Sequence, residues 1–400
     1  MLEASFFISN RRRLIERLEG GVIVLGAYGR QQRSNDAAHS FTQEANFWYL
    51  CGIDEPDWML IIDGSANKSY LVAPTIEDTH ATFDGSVSAD EAKSTSGVDK
   101  IIDVDESISL LRSLSRRHPA VSTVGAPSYA EHFNFTLNPS IAKLRTLLER
   151  HFTQVIDVKK DIAALRAIKS QEEIVMITKS VDVTVKAFKS IHADMKTFKH
   201  EYEIEADFSH AMRRAGAAGH AYDPIIAAGI NACTLHYSHN RSSISNRQLV
   251  LMDVGASYGG YAADITRTYA KGDATQRQRQ VHAAVETAHK RIIDLIEPML
   301  SVESYQREVD VIMKEALTSI GLDATDDGLR RYFPHAVSHG LGIDVHDSLA
   351  APKYFLENMV LTVEPGIYIP EEKIGVRIED DILVTDGGNR NLSAGLSTRL

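Results

Sequence analysis

The chain has 400 residues, 44% apolar and 24% charged, which suits two folded domains and sets aside a disordered or fibrous polymer. Its 43 basic and 54 acidic side chains give a formal net charge of −11, with the acids dispersed along the chain, so a nucleic-acid partner is not expected. The two cysteines, Cys51 and Cys233, lie far apart without metal-type spacing, and no apolar run reaches membrane-spanning length, so a reducing cytoplasm and no membrane association are expected.

At the N-terminus, MLEASFFISNRRRLIERLEGG carries its basic residues after the apolar stretch, the wrong order for a secretory signal. GVIVLGA, WMLIIDG and SYLVAP predict strands punctuated by Gly or Pro, and Ser107 to Arg117 predicts a helix. A small α/β domain is therefore expected over residues 1–158. The pattern changes around VIDVKKDIAALRAIKS, where Ser170 followed by Glu173 predicts a capping box. The helix it starts carries Ile174, Ile177, Val181, Val185, Phe188 and Ile191 at helical spacing, and opens a second domain over 159–400. A helix over 201–218, a strand pair within 247–271 and helices over 274–297 and 301–320 follow, the last closed by Gly321. VLTVEPGIYI and GVRIEDDILVT, joined by a polar link containing Pro370, predict an antiparallel pair.

Five residues stand out chemically. Asp253 ends the run QLVLMDVG, and Asp264 opens DITRTYA after a turn containing Gly259 and Gly260, which places both on adjacent strands of a hairpin. A plain turn role is the alternative for either Asp alone, yet Asp253 directly follows four apolar residues, where an uncompensated carboxylate is costly. Glu364 in LTVEPG and Glu379 in GVRIEDD repeat the pattern, each an acid where its neighbours predict burial. Pro365 and Gly366 mark a sharp strand end after Glu364. For Glu379 the alternative is an edge strand with outward acids, Asp380 and Asp381 being partly solvated beside it. His335, His339 and His346 crowd among glycines in PHAVSHGLGIDVHD, which favours a functional cluster. Asp253, Asp264, His339, Glu364 and Glu379 together form a hard, oxygen-rich set suited to two divalent ions, Mn²⁺ first and Co²⁺ or Zn²⁺ as alternatives. Two such ions balance four ionised carboxylates and leave a hydroxide as nucleophile.

These motifs resemble the metallopeptidases of the creatinase, prolidase and aminopeptidase P group. The resemblance is carried by AYDPIIAAGINACTLHYSHN, MDVGASYGGYAADITRTY, HAVSHGLGIDVHD, VLTVEPGIYI and VRIEDDILVT, and in the N-terminal part by FTQEANFWYLCGIDEPDWMLII. Phe41, Gln43, Phe47, Tyr49 and Gly52 fit that pattern, whereas Thr42 stands where the family commonly has arginine. It implies an α/β N-terminal domain of aminopeptidase P type plus an α+β pita-bread (creatinase/aminopeptidase-like) C-terminal catalytic domain. It also implies hydrolysis of the bond between a peptide's first residue and a following proline.

By the same resemblance Glu364 is ligand and proton shuttle, while His236 and His346 contact substrate and stabilise the oxyanion. His335 matches a position near the leaving proline. Arg377 is expected to hold a ligand carboxylate or the substrate's far end, and Tyr368 to form site wall. For His335 and Tyr368, ordinary packing is an equal alternative. The family's dimer or tetramer, with the N-terminal domain restricting a neighbour's cleft, is implied too.

Two activities remain open inside this reading, an aminopeptidase acting on longer peptides and a dipeptidase acting on Xaa-Pro alone. The segment DSLAAPKYFLENMVLTV contains no arginine, which tilts the balance to the aminopeptidase. A metal-free binding protein or creatinase-like relative of the same fold is a third reading, and the five intact ligand types speak against it.

Overall fold

The structure, a computed structural model, describes residues 2–127, 130 and 133–400. Its packing divides the chain into two units, Met1–Leu165 and Arg166–Leu400.

The first unit is built on a six-stranded mixed sheet, in the order Lys100–Ile102, Lys68–Val72, Met59–Asp63, Val22–Gly26, Ala120–Thr123, Gln154–Asp157. The three runs read as strands from their Val/Ile/Leu content are neighbours in it, paired antiparallel from Val22 opposite Asp63 and from Met59 opposite Val72. Val22, Val24, Ile61 and Val72 turn one face onto Leu111, Leu114 and Leu148 of two covering helices. Gln43, in the FTQEANFWYLCG motif, ties this motif together: its side chain accepts from Tyr28 N at 3.0 Å and donates to the Ile53 and Glu55 carbonyls at 3.1 and 2.9 Å. Phe47 and Tyr49 are fully buried behind it.

The second unit runs twice through the order helix, helix, strands. In the first half, Ser170 and Glu173 form both bonds of the capping box, and the helix Gln171–Asp194 buries Ile177, Val181, Phe188 and Ile191. The next helix spans Glu201–Arg214, shorter than expected because the small-residue run from Gly216 to Gly219 leads into a short strand instead. A three-stranded antiparallel sheet follows, with Leu249–Val254 between Ile225–Ala228 and Ile265–Ala270. Its connecting tip is a separate small hairpin, Ala256–Tyr258 with Tyr261–Ala262, which pairs with Gly219–His220. Gly259 and Gly260 at that tip have φ of +59° and +83°, the left-handed pair that a two-residue hairpin turn requires.

In the second half, Gln276–Leu295 and Val302–Ser319 form the helix pair. Val281, Val285, Ile292, Val309 and Met313 pack with Leu361, Val363, Ile382 and Val384 of the following strands in one core of this unit. The expected C-terminal pair is four strands. Val360–Val363 pairs with Asp380–Thr385 and Gly366–Ile369 with Ile374–Arg377, both antiparallel. The break falls at Glu364 and Pro365, where proline offers no N–H to the ladder, and opposite at Ile378 and Glu379. The two half-sheets meet where Glu379 N donates to Thr266 O at 3.0 Å and Arg377 N to Thr268 Oγ1 at 3.2 Å. No helix among the described residues is long and apolar enough to cross a membrane.

Candidate metal centre

Asp253 sits in the central strand opposite Ile225 on one side and Thr266 on the other. Asp264 immediately precedes the strand Ile265–Ala270. What lets the two aspartates meet is Gly255: a Cβ there would stand 1.7 Å from the Ala263 carbonyl oxygen, so the returning chain lies closer than any side chain permits. The Tyr222 hydroxyl then lies 2.5 Å from Oδ1 of both Asp253 and Asp264.

The other acids come from the interrupted hairpin. Glu379 accepts from Thr266 Oγ1 at 2.6 Å, and Glu364 Oε1 lies 3.4 Å from Thr362 Oγ1. His339 places Nε2 3.4 Å from Asp264 Oδ2 and 3.4 Å from Glu364 Oε1. Its Nδ1 faces the Gly340 carbonyl at 3.0 Å and, a carbonyl being only an acceptor, carries a proton, which turns Nε2 to the acids. Ligand atoms of Asp264, His339 and Glu379 all lie within 4.8 Å of one another. Asp253, Asp264 and Glu379 are 8%, 5% and 2% exposed, so none of the three faces solvent.

A chain of hydrogen bonds leads away from Asp253. Arg377 Nη2 donates to Asp253 Oδ2, Arg377 Nη1 to the Tyr368 hydroxyl at 2.8 Å, and that hydroxyl lies 2.8 Å from His335 Nε2. Arg377 is thus engaged with the Asp253 carboxylate and with the Tyr368 hydroxyl. Tyr368 and His335 are hydrogen-bonded into this chain of contacts from Asp253. His346 lies against His339 with ring centroids 4.3 Å apart. His236 is exposed and near enough to bear electrostatically on both His335 and His346.

The electrostatics test whether cations fit. Burial, with Asp253 beside it, pushes the Asp264 carboxyl up, though His339 opposes this. Burial and the charges of Asp264, Glu364 and Asp253 push Glu379 well above the carboxylate range. Glu364 is raised to about 7, by burial first and then by Asp264 and Asp253, against His339 and Arg377. Burial would lower the His339 imidazole, but Asp264 and Glu364 outweigh it and lift it to about 9. Desolvation and neighbouring positive charge lower His335 and His346 each to about 4. Four converging acids with, among the described residues, only Arg377 and His339 as protein cations beside them lack positive charge, which divalent ions on an oxygen-rich donor set would supply. The residues fit.

Two neighbours escaped the sequence reading. Tyr222 stands in AYDP with no local sign that its hydroxyl bridges two aspartates. Thr266 had a sign: it lies two residues beyond Asp264, itself fully buried and at the alternation that puts it on the same face, and it serves both Glu379 and Arg377 Nε, the latter at 3.2 Å. The expectation that Asp380 and Asp381 are partly solvated is corrected: they are 2% and 0% exposed. Their strand, Asp380–Thr385, is the middle of three, not an edge. Asp380 pairs with the fully buried Arg267 at 2.6 Å and accepts from Asn391 and Ser393.

Comparison with known proteins gives a concordant result. Residues 175–386 match metallopeptidase family M24, and residues 7–122 match the aminopeptidase P N-terminal domain. The chain is 32% identical to the Xaa-Pro aminopeptidase of Escherichia coli K12, over 98% of this chain and 94% of that one. It is 32% identical to human Xaa-Pro aminopeptidase 3, over 90% of this chain and 76% of the relative. The solved structure of E. coli aminopeptidase P with the inhibitor Pro-Leu superposes with a TM-score of 0.86 at 30% identity, covering 100% of this chain and 97% of that one.

Proposed function

The chain belongs to metallopeptidase family M24, and we propose that it is an Xaa-Pro aminopeptidase that hydrolyses the bond between a peptide's first residue and a following proline. The observation that carries this reading is the convergence of Asp253, Asp264, His339, Glu364 and Glu379 in a chain that also has an aminopeptidase P N-terminal domain.

Those five side chains would hold two divalent ions, Mn²⁺ by preference, with Co²⁺ or Zn²⁺ compatible with the same donors. When bound, the ions supply Lewis acidity toward the scissile carbonyl and acidify the attacking water. Glu364, whose carboxylate stands between His339 and His335, takes the proton of that water and returns it to the departing proline nitrogen. His236 and His346 offer N–H donors to the substrate and to the oxyanion, each worth about 3 kcal/mol in such a role. His335, held by Tyr368, flanks the proline. Arg377 keeps Asp253 and Tyr368 in place.

Residues 1–158 work in this reading as the unit that restricts a neighbouring subunit's cleft in a homodimer or homotetramer. Two unpaired thiols, Cys51 and Cys233, support a cytoplasmic setting. The lack of arginine between His346 and Glu364 supports action on peptides longer than two residues.

Initial rates on Ala-Pro-Ala, Ala-Pro and Ala-Ala-Ala with Mn²⁺ test the proposal. Cleavage of Ala-Pro-Ala and not of Ala-Ala-Ala is expected. Cleavage of Ala-Pro alone would make it a dipeptidase, and no cleavage of either proline peptide by the metal-loaded protein would end the proline assignment.

A further inference from the structure

Glu201 opens the helix Glu201–Arg214 and is 0% exposed. Its carboxylate accepts four hydrogen bonds at 2.8 Å, Oε1 from Ala228 N and Asn231 Nδ2, Oε2 from the Tyr237 hydroxyl and Ser242 N. Two of these donors precede His236 and two follow it. The loop between residues 228 and 242 is therefore pinned at both ends to a single carboxylate, and Asn231 Nδ2 bonded to Ser242 Oγ at 2.9 Å ties the two ends together.

The chemistry of this anchor is selective. A carboxylate has two oxygens that each accept twice, whereas an amide of the same shape has one such oxygen and a donor in place of the other. Glu201 also lies in the first helical turn, where the unpaired N–H groups of the helix favour a negative charge. Neither feature is needed to fill space, since an apolar side chain could fill the same volume. Both are needed to hold four donors of the loop; Leu235 and Tyr237 pack on an apolar cluster with Ala232 and Tyr368, while His236 between them stands exposed.

We propose that Glu201 is a positioning residue for His236, fixing the loop so that the imidazole faces the substrate beside His335 and His346. The inference rests on the reading of His236 as a group that touches substrate. Glu201 itself touches none.

Glu201→Gln, His236→Ala and the double variant test it in the metal-loaded full chain. Glutamine keeps the upstream bonds through its oxygen but cannot accept from Ser242 N, so the downstream end loses that side-chain tie while Glu201 N still donates to Ser242 O, and the loop is loosened rather than freed. The expected result is a folded protein with unchanged metal content and kcat/KM on Ala-Pro-Ala reduced about tenfold or more, the scale on which groups that orient a functional side chain act. Because Glu201 acts through His236, the substitution is expected to cost almost nothing further in the His236→Ala background. Trypsin reads the loop separately, since Arg241 is exposed within it, and cleavage there should be faster in Glu201→Gln. Independent losses that multiply in the double variant, or wild-type kcat/KM in Glu201→Gln, would overturn the proposal, as would unchanged cleavage after Arg241. Wild-type kcat/KM in His236→Ala would instead overturn the role given to His236, and the proposal with it, while leaving the pinning legible to trypsin. If Glu201→Gln does not fold, Tyr237→Phe removes one downstream donor and must show the same non-additivity with His236→Ala.

Discussion

Glu364 and Glu379 face each other across a gap in one hairpin. The ladder that pairs Val363 with Asp380 and Gly366 with Arg377 keeps a single register on both sides of the gap, which sets these two glutamates opposite each other. Inside the gap their backbones bond elsewhere, Glu364 N to Val337 O at 2.9 Å and Glu379 N to Thr266 O at 3.0 Å. Directly opposed residues point to the same face of a hairpin, so the interruption gives two acids a common target. Like charges so placed repel, and something positive must lie between them for the arrangement to persist ionised.

Chelation should therefore destabilise the protein. Removing an ion present at a hundred times its Kd costs about 2.7 kcal/mol of stability. Thermal unfolding of the Mn²⁺-loaded protein before and after EDTA measures this, and Asp264→Asn is expected to be folded, inactive and insensitive to EDTA. A wild-type midpoint that does not move on chelation would remove the ions from the account of this site.

Much of this site is written locally. The capping box at Ser170 and Glu173, the aspartates flanking a Gly-Gly turn and the histidines among glycines all depend on residues within a few positions of one another, and those survive in the structure. What was not legible depends on partners far away in sequence. Pro365 announces one side of the hairpin gap, but nothing near Ile378 and Glu379 announces the other, because that break is made by a hydrogen bond to Thr266. Asp380 looks solvated from its neighbours alone, since the guanidinium that buries it, Arg267, lies 113 residues earlier. Tyr222 is silent for the same reason, being 31 and 42 residues from the aspartates it joins.

Tyr222→Phe should weaken ion binding without unfolding the chain. The hydroxyl lies 2.5 Å from both Asp253 and Asp264, and burial with those two charges keeps it protonated well beyond the ordinary tyrosine range. Loss of a group that orients ligand carboxylates typically costs 10- to 100-fold in metal affinity, roughly the change expected here. Competition with a fluorescent chelator measures it, with circular dichroism as the control for folding. An affinity equal to wild type would reduce the hydroxyl to a bystander.

Gly255→Ala should fail, because Gly255 has the tightest Cβ approach of the described glycines. The added methyl would meet the Ala263 carbonyl at 1.7 Å and the Tyr222 ring at 3.0 Å, both anchored by neighbours on either side. Relief requires the chain between Val254 and Asp264 to shift, which moves Asp264 away from Asp253. A loss above about 4 kcal/mol or an insoluble product is expected, the range reserved for overpacked or strained core positions. Recovery of a soluble variant with wild-type urea midpoint would show that the turn has more room than its geometry gives.

Asp347, next to His346, carries a pH dependence of stability whose direction can be fixed in advance. Its carboxylate is 5% exposed and meets Lys169 Nζ at 3.1 Å and Arg166 Nη2 at 3.0 Å, with both cations themselves buried. Burial alone would raise its pKa, but Arg166 and Lys169 outweigh burial and hold it below the ordinary carboxylate value. A folded value below the unfolded one, about 3.9, means that the carboxylate contributes its full stabilisation above that pH and loses it as pH falls through the folded value. Asp347→Asn leaves Lys169 without its partner, whereas Arg166 retains Asp344 at 2.6 Å, so a cost of about 3–5 kcal/mol is expected at pH 7. Urea unfolding of both proteins between pH 7 and 3.5 should give a stability gap that is flat down to about pH 5 and narrows below pH 4. A gap that stays constant to pH 3.5 would mean that packing around Asp347, not its charge, holds the 340–347 loop against the start of the second unit.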